Sequence, residues 1–266
     1  MNSRVALVTG AARGIGAATV LALAGAGWSV LAVDSVADDA ALPYPMATPA
    51  DLSEVVRRAG GAAGAGPVRS FLADVRDPDA VAAAVAEAER HWGGLDAAVA
   101  AAGVIAGGVP LWEVPLTQQR AVLDVNLGGV LSLARAAVPA LLRRPVPRSG
   151  RFLAVSSAAA TRGLPMLAAY SAAKAGVAGL IRALAAELAD SGVTANAVSP
   201  GSTATPILDE SARLYRLPGA EAFAGQQPAG RLLDPAEVAA VLAFLASPAS
   251  SGMTGAVVPV DGGLAL

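Results

Sequence analysis

Short apolar runs recur along the chain at 4–9, 28–33, 68–73, 95–100, 151–155, 193–198 and 256–260. Most are continuously apolar and do not alternate, the pattern of strands buried on both faces of a parallel sheet. Alanine-rich stretches of helical character separate them. One follows the glycine turn at 10–16 and runs to about Gly25, and one spans about 51–59. A third opens at Pro78. A fourth, with Thr117 in position to cap it, reaches about Leu142. A fifth starts just before Tyr170 and runs to about Asp190, and Asp234-Pro235 opens a last one to about Ala246. The alternation continues from end to end without a linker. It predicts an α/β fold: a single Rossmann-type, doubly wound domain over 1–266, with a seven-stranded parallel sheet, helices on both faces and right-handed crossovers.

Two stretches break the rhythm. The first, an insertion at about 35–50, is rich in proline and too long for an ordinary α/β connection. Its Leu42, Tyr44 and Met46 imply that it packs on something, either as a flap over a ligand or as a surface elaboration. The second, about 205–230, mixes apolar residues with Pro218, Gly219, Gly225 and Pro228, as a substrate-side lid would. With 104–115, it is expected to line an apolar pocket.

The chemistry begins at Gly10-Ala11-Ala12-Arg13-Gly14-Ile15-Gly16, between the first strand and the first helix. In that setting Gly10 allows a tight turn, Gly14 lets the backbone approach a pyrophosphate, and Gly16 lets helix and strand pack closely. The helix N-terminus then faces the phosphates. Asp34, at the end of the second strand, suits the two hydroxyls of an adenosine ribose and would repel a 2′-phosphate, so NAD is expected over NADP. Asp74-Val75 ends the third strand, where the carboxylate can meet an adenine amino group with Val75 against the ring. Ala101-Ala102-Gly103 is a small-residue turn that lets a ribose or nicotinamide lie near the backbone. Pro200-Gly201 and Thr203 to Thr205 follow the sixth strand.

Tyr170 and Lys174 stand four apart on a helix and share a face. An ammonium beside a phenol favours the phenolate and brings the hydroxyl into proton-transfer range, although many such pairs are merely surface neighbours. Lys174 is the only lysine among 19 Lys and Arg residues. Arginine does not substitute for a compact, tunable ammonium. Ser157, at the end of the fifth strand, can reach the start of that helix. Asn126 sits in mid-helix among apolar neighbours, where asparagine needs a buried reason such as a held water or a kink.

Composition narrows the alternatives. The 266 residues are 55% hydrophobic and 15% charged, with a net charge of −2 and no basic stripe, which argues against a nucleic-acid partner. There is no cysteine and one histidine, His91, near a helix end where it caps or meets solvent. Disulfides and thiol catalysis are excluded, and no metal site is expected. No apolar run is expected to span a membrane, and the chain reads as cytoplasmic.

Thr9-Gly10-x-x-x-Gly14-Ile15-Gly16, Asp74-Val75, Asn126, Ser157, Tyr170-x-x-x-Lys174 and Pro200-Gly201 together resemble the short-chain dehydrogenase/reductase family, over nearly the whole chain. The resemblance implies Tyr170 as general acid/base and Ser157 as the group orienting a substrate alcohol or carbonyl. Lys174 would lower the Tyr170 pKa and hold the nicotinamide ribose, and Asn126 would support a proton-relay water. Thr205 and the Thr203 backbone would hold the carboxamide. Arg13, Ile15 and Ala101 would join the dinucleotide contacts. The implied activity is hydride transfer between NAD and a small or medium apolar alcohol or ketone. The alternatives are an NADP-dependent acyl-carrier ketoreductase and a silent dinucleotide-binding protein. A homotetramer built on the helices around 117–142 and 168–190 is expected. The family usually has Asn-Asn-Ala-Gly where this chain has Ala100-Ala101-Ala102-Gly103. The insertion resembles that of the mycofactocin-associated subgroup, which is linked to tightly held NAD and an external redox partner.

Overall fold

The computed structural model describes residues 3–61 and 63–266. All seven expected strands form, each end within two residues of its expected place: β1 (Val5–Thr9), β2 (Ser29–Asp34), β3 (Val68–Leu72), β4 (Ala97–Ala100), β5 (Gly150–Val155), β6 (Val193–Pro200) and β7 (Val257–Val260). They make one parallel sheet in the order β3-β2-β1-β4-β5-β6-β7. Valine, leucine and alanine fill both faces because both are covered.

One face carries α1 (Gly14–Gly25), α2 (Pro49–Gly60) and α8 (Pro235–Ala246), whose Val20, Leu23, Leu52, Val55, Val238 and Leu242 pack on Val8, Val30, Val99 and Leu153. The other carries α3 (Pro78–Trp92), α5 (Gly129–Leu142) and α6 (Ala168–Glu187), which bury Val81, Val85, Leu133, Leu141, Val177 and Ile181 against Leu7, Leu31 and Phe152. Three helix starts are written in the sequence. Thr48 and Asp51 form a reciprocal capping box at α2, as do Asp234 and Glu237 at α8, and Asp77 caps α3. A proline follows each cap.

The expected helix from Thr117 to Leu142 is corrected in two respects. Its first segment, α4 (Leu116–Leu123), has Pro115 at its N-cap and no side-chain cap, so Thr117 has no such role. A π-helical turn, Asp124–Gly128, then separates α4 from α5 and carries Asn126. The run Leu116–Leu142 is also long and apolar enough to cross a membrane, against expectation. Charges at Arg120, Asp124 and Arg135 interrupt it in sequence. In the fold, α5 packs on α3, β4 and β5 and α4 packs on α6. Leu116, Leu123 and Leu131 remain exposed.

The stretch between β2 and α2 is a pinned strap. Leu42 is buried with Val104, Ala121, Val122 and Val125. The Tyr44 hydroxyl accepts from Ile105 N at 2.9 Å, Arg13 donates to the Pro45 carbonyl at 3.0 Å, and Arg76 pairs with Asp39 at 2.6 Å. The strap is therefore tied to the loops that follow β1, β3 and β4. At the far edge, buried Asn196 donates to Met253 O at 2.8 Å and accepts from Ala256 N at 3.1 Å, clamping the approach to β7 against β6. The 205–230 stretch, expected as an irregular lid, contains a regular helix, α7 (Pro206–Leu214).

Candidate active site

The chain leaves β1 for β2 on one side and returns as β4 on the other, so the loops beyond these strand ends part and leave a crevice. A cleft of about 600 Å³ opens there. Every residue expected to touch a dinucleotide lines it, and so does Ser157. Asn126 alone of the expected set stands behind the wall, fully buried.

The glycine turn is shaped as a cradle. Gly10 has φ +66°, and a Cβ there would meet the Ala102 backbone at 2.6 Å; a Cβ on Gly16 would collide with the Gly10 carbonyl. Gly14, at φ +57°, faces the Thr205 side chain across the cleft, 3.2 Å from where its Cβ would sit. This small-residue cradle at the start of α1 fits a pyrophosphate. Asp34 is fixed by two backbone donors, Ala12 N at 3.0 Å and Val36 N at 3.1 Å. A carboxylate has about four acceptor sites, so capacity remains for ribose hydroxyls. Burial works against ionisation of Asp74, but Arg76 outweighs it through its side chain and backbone N–H and holds the carboxyl below its usual range.

Thr9 supports the turn after β4, which carries none of the expected asparagine side chains. Its hydroxyl accepts from Ala101 N at 3.2 Å and Ala102 N at 3.4 Å. Asn126 completes the support: its Oδ1 accepts from Val104 N and its Nδ2 donates to Val104 O, both at 2.8 Å. The π-helical turn is the kink that a mid-helix asparagine suggested. One N–H and one lone pair of its amide remain for another partner.

On the opposite wall, Tyr170 stands in the first turn of α6, facing Ser157 at the end of β5. Lys174 lies one turn on, with Nζ 5.8 Å from the Tyr170 ring centroid. Lys174 is 4% exposed and donates to Val155 O at 2.9 Å. Ser156 ties the helix down by donating to Lys174 O at 2.9 Å. Burial pulls the Lys174 ammonium down to about 8. Burial also pushes the Tyr170 phenol above its ordinary value, and the facing Ser157 hydroxyl opposes this. Desolvation sets the direction of the Tyr170 shift. Tyr170 is held as a protonated donor at neutral pH.

The substrate end is apolar, as expected, but its lining differs in part. Ile207, Leu208, Tyr215, Leu217 and Phe223 contribute from the lid stretch, with Tyr215 and Phe223 edge to face at 6.1 Å. Of 104–115, only Val104 and Ile105 reach the cleft, and Trp112 is 84% exposed. Leu164, Pro165 and Leu167, which carried no signal in the sequence, line it instead, and the Tyr215 hydroxyl ties α7 to them by donating to Pro165 O at 2.7 Å. Gln227 is a further unheralded contributor. It accepts from Ser202 N at 2.8 Å and donates to Arg231 O at 2.7 Å, fixing the root of the lid.

A family profile described as Enoyl-(Acyl carrier protein) reductase matches residues 10–265. Cis-4-hydroxycyclohexanecarboxylate dehydrogenase of Sinomonas cyclohexanicum is 41% identical, over 98% of this chain and 96% of that protein. The 3-oxoacyl-(acyl-carrier-protein) reductase FabG of Thermotoga maritima is 34% identical, over 100% and 99%. The crystal structure of carveol dehydrogenase from Mycobacterium avium in complex with NAD superposes with a TM-score of 0.91 at 34% identity, covering 98% of this chain and 97% of that one. The chain belongs to the short-chain dehydrogenase/reductase family. As a member it is an oxidoreductase, and the cleft is its candidate active site. His91 is exposed at the end of α3, edge-on to Trp92, and takes no part in it.

Burial of Lys174 has a consequence for stability. The folded chain releases the Lys174 proton near pH 8, while the unfolded chain holds it to about 10.5. The unfolded state therefore binds more protons between these values, and stability rises with pH across that window. At about 1.4 kcal/mol per pH unit, the penalty present below pH 8 is about 3 kcal/mol. Urea unfolding of wild type and Lys174→Met should show the variant's advantage at pH 7.5 shrinking steadily toward pH 10. A difference that does not change with pH would contradict the assignment.

Proposed function

We propose that this protein is an NAD-dependent dehydrogenase that interconverts a small or medium apolar alcohol and its ketone. The observation that carries the reading is a single cleft with Asp34 fixed at one end and Ser157, Tyr170 and Lys174 grouped at the other. A bound nicotinamide would supply the hydride chemistry. The glycine cradle would hold its pyrophosphate, Asp34 the adenosine ribose, and Lys174 the nicotinamide ribose. In oxidation, Ser157 holds the substrate oxygen and Tyr170 takes its proton as the hydride leaves the carbon. In reduction, Tyr170 returns the proton to the carbonyl oxygen. Because burial favours the protonated phenol, Tyr170 is ready for reduction at neutral pH, and oxidation gains as pH rises. The apolar lining and the similarity to dehydrogenases named for a hydroxycyclohexane carboxylate and for carveol support an alicyclic alcohol. The acyl-carrier reading has the Thermotoga relative behind it and Asp34 against it.

The strap supports a second element of the proposal, retention of NAD between turnovers. Its ties at Arg13, Arg76 and Ile105 must loosen before a dinucleotide can leave. Recycling in place by an external redox partner, as in the mycofactocin-associated subgroup, would follow. The exposed Leu116, Leu123 and Leu131 on α4 and α5 support burial of that surface between subunits of a homotetramer.

Initial rates with alicyclic alcohols should favour NAD over NADP, and Tyr170→Phe should lose at least about 10²-fold in turnover with little change in dinucleotide affinity. Preference for NADP would remove the Asp34 argument, and retained turnover in Tyr170→Phe would remove the mechanism. Asp39→Ala removes one tie of the strap without touching Asp74. It should speed exchange of bound for labelled NAD by roughly five-fold, the scale of a half-exposed ion pair. Unchanged exchange would leave the strap without this role. In solution, light scattering should give a mass near four times 26.1 kDa, and a monomer would rule out the tetramer.

A further inference from the structure

The charges that line the cleft are divided unevenly between its ends. Its carboxylates, Asp34, Asp39 and Asp74, all come from the chain beyond β2 and β3. Of its four cations, Arg76 pairs with Asp39 and Asp74, Arg13 is tied to the strap, and Lys174 is buried against Val155 O. The fourth, Arg162, belongs to the other end, next to Leu164 and Pro165 in the apolar wall. Among the described residues, no carboxylate lies within ion-pair distance of it.

This guanidinium is held at the cleft wall by one corner. Ser157 opens a short 3₁₀ turn, Ala158–Ala160, and Arg162 N donates to Ala158 O at 2.9 Å, so the arginine follows Ser157 by one tight turn. Its Nη1 donates to the carbonyl of Leu264, which also lines the cleft. Leu264 is buried, and its own N–H is fixed on Asp261 O at 3.0 Å. Arg162 itself is exposed, and no acceptor among the described residues takes its Nε or Nη2. The anchored nitrogen leaves the Nε–Nη2 edge free, and two parallel donors of that kind match the two oxygens of a carboxylate. An arginine on an open surface meets mostly water. At the wall of an apolar pocket the same pair is better shielded, and the tether lowers the cost of ordering the side chain.

We propose that Arg162 binds a carboxylate on the substrate, so that the alcohol taken by this site is an alicyclic hydroxy acid. The ring lies against Leu164, Leu217 and Phe223, and the acid group sits on the Nε–Nη2 edge of Arg162. The proposal rests on the dehydrogenase reading above and narrows its substrate class, from an alcohol apolar throughout to one apolar in its ring and anionic at its far end. Oxidation breaks only the C–H and O–H bonds of the carbinol: the hydride goes to NAD, the proton goes to Tyr170, and the carboxylate is unchanged. Arg162 therefore selects the substrate and takes no part in the hydride transfer.

The test compares initial rates of the full chain at saturating NAD with 4-hydroxycyclohexanecarboxylate and with its carboxamide, each as cis and trans isomers. The two compounds differ in charge and hardly in size. Wild type should favour the acid by about 10- to 100-fold in kcat/KM, mostly through KM, the scale of a charge-assisted pair. Arg162→Gln should bring the ratio of acid to amide close to one, with the loss falling on the KM of the acid. Arg162→Lys, which keeps the charge without the fork, should recover part of the preference. A wild type that oxidises acid and amide equally well would overturn the proposal and leave the dehydrogenase reading standing. A preference that survives in Arg162→Gln would remove the residue from this role. Equal losses on acid and amide would mean that Arg162 only holds the C-terminal tail, and would reject it as well. If neither compound is oxidised, the dehydrogenase reading itself has failed for alicyclic alcohols, and calorimetry of the NAD-loaded protein with cyclohexanecarboxylate decides for the anion site. Saturable binding that Arg162→Gln weakens keeps the site, and no binding rejects it.

Discussion

The Lys174 ammonium sits in a space nearly closed to water, with the Val155 carbonyl as its hydrogen-bond partner. Holding a cation there requires three elements to be in register. The end of β5 must present its carbonyl, α6 must be drawn against it, and the turn after β4 must leave room. Ser156 draws α6 in from one side. Gly103 leaves the room on the other, since a Cβ there would stand 3.2 Å from Asn126 Oδ1 and 3.7 Å from Lys174 Nζ. Tyr170, Ser157 and the floor of the cleft all take their positions from the same arrangement. The desolvation that makes the ammonium costly also raises the neighbouring phenol. A bound dinucleotide and substrate would enter a site whose proton affinities are already displaced from their values in water.

The floor shows how one requirement can be met by different side chains. A sharp turn after β4 leaves backbone N–H groups without strand partners, and each buried one needs an acceptor. Here Thr9 reaches across from β1 and Asn126 reaches in from the π-helical turn. Asn196 repeats the device at the other edge, serving one carbonyl and one N–H with a single amide. Asparagine is scarce in this chain, and both copies in the folded interior act as backbone prostheses, each matching a peptide group in its donor and acceptor spacing.

Much of this was legible in the residues. Most of the strands announce themselves as apolar runs because both faces of the sheet are covered. The glycine cradle, Asp34, Ser157, Tyr170 and Lys174 follow from local chemistry at strand ends, and the structure brings them into one cleft. What was hidden depends on contacts between distant segments. Tyr44 to Ile105, Arg76 to Asp39 and Gln227 to Ser202 are long-range bonds, mostly to backbone, and such bonds leave no periodic trace. The π-helical turn depends on one extra residue in a helix whose apolar pattern is otherwise continuous. Helix α7 was obscured by prolines and glycines on either side, although Pro206 is placed to start it. Thr117 had the chemistry of a cap, but Pro115 already sets the turn one residue before the helix begins.

The order of the strands also bears on how the chain comes off the ribosome. β1 lies near the middle of the sheet, between β2 and β4. Its first neighbour is ready after some thirty residues, but its second arrives only with Ala97–Ala100. Until then one side of an apolar strand presents open hydrogen-bonding groups to whatever is near. In the finished sheet the open sides are confined to the two outer strands. Its outer strands are β3, with Arg69 and Ser70 in its middle, and β7, whose Pro259 cannot donate to a neighbour. Protection of the interior is thus a late event in the life of the chain, and the nascent N-terminal half is the stage at which a chaperone would matter most.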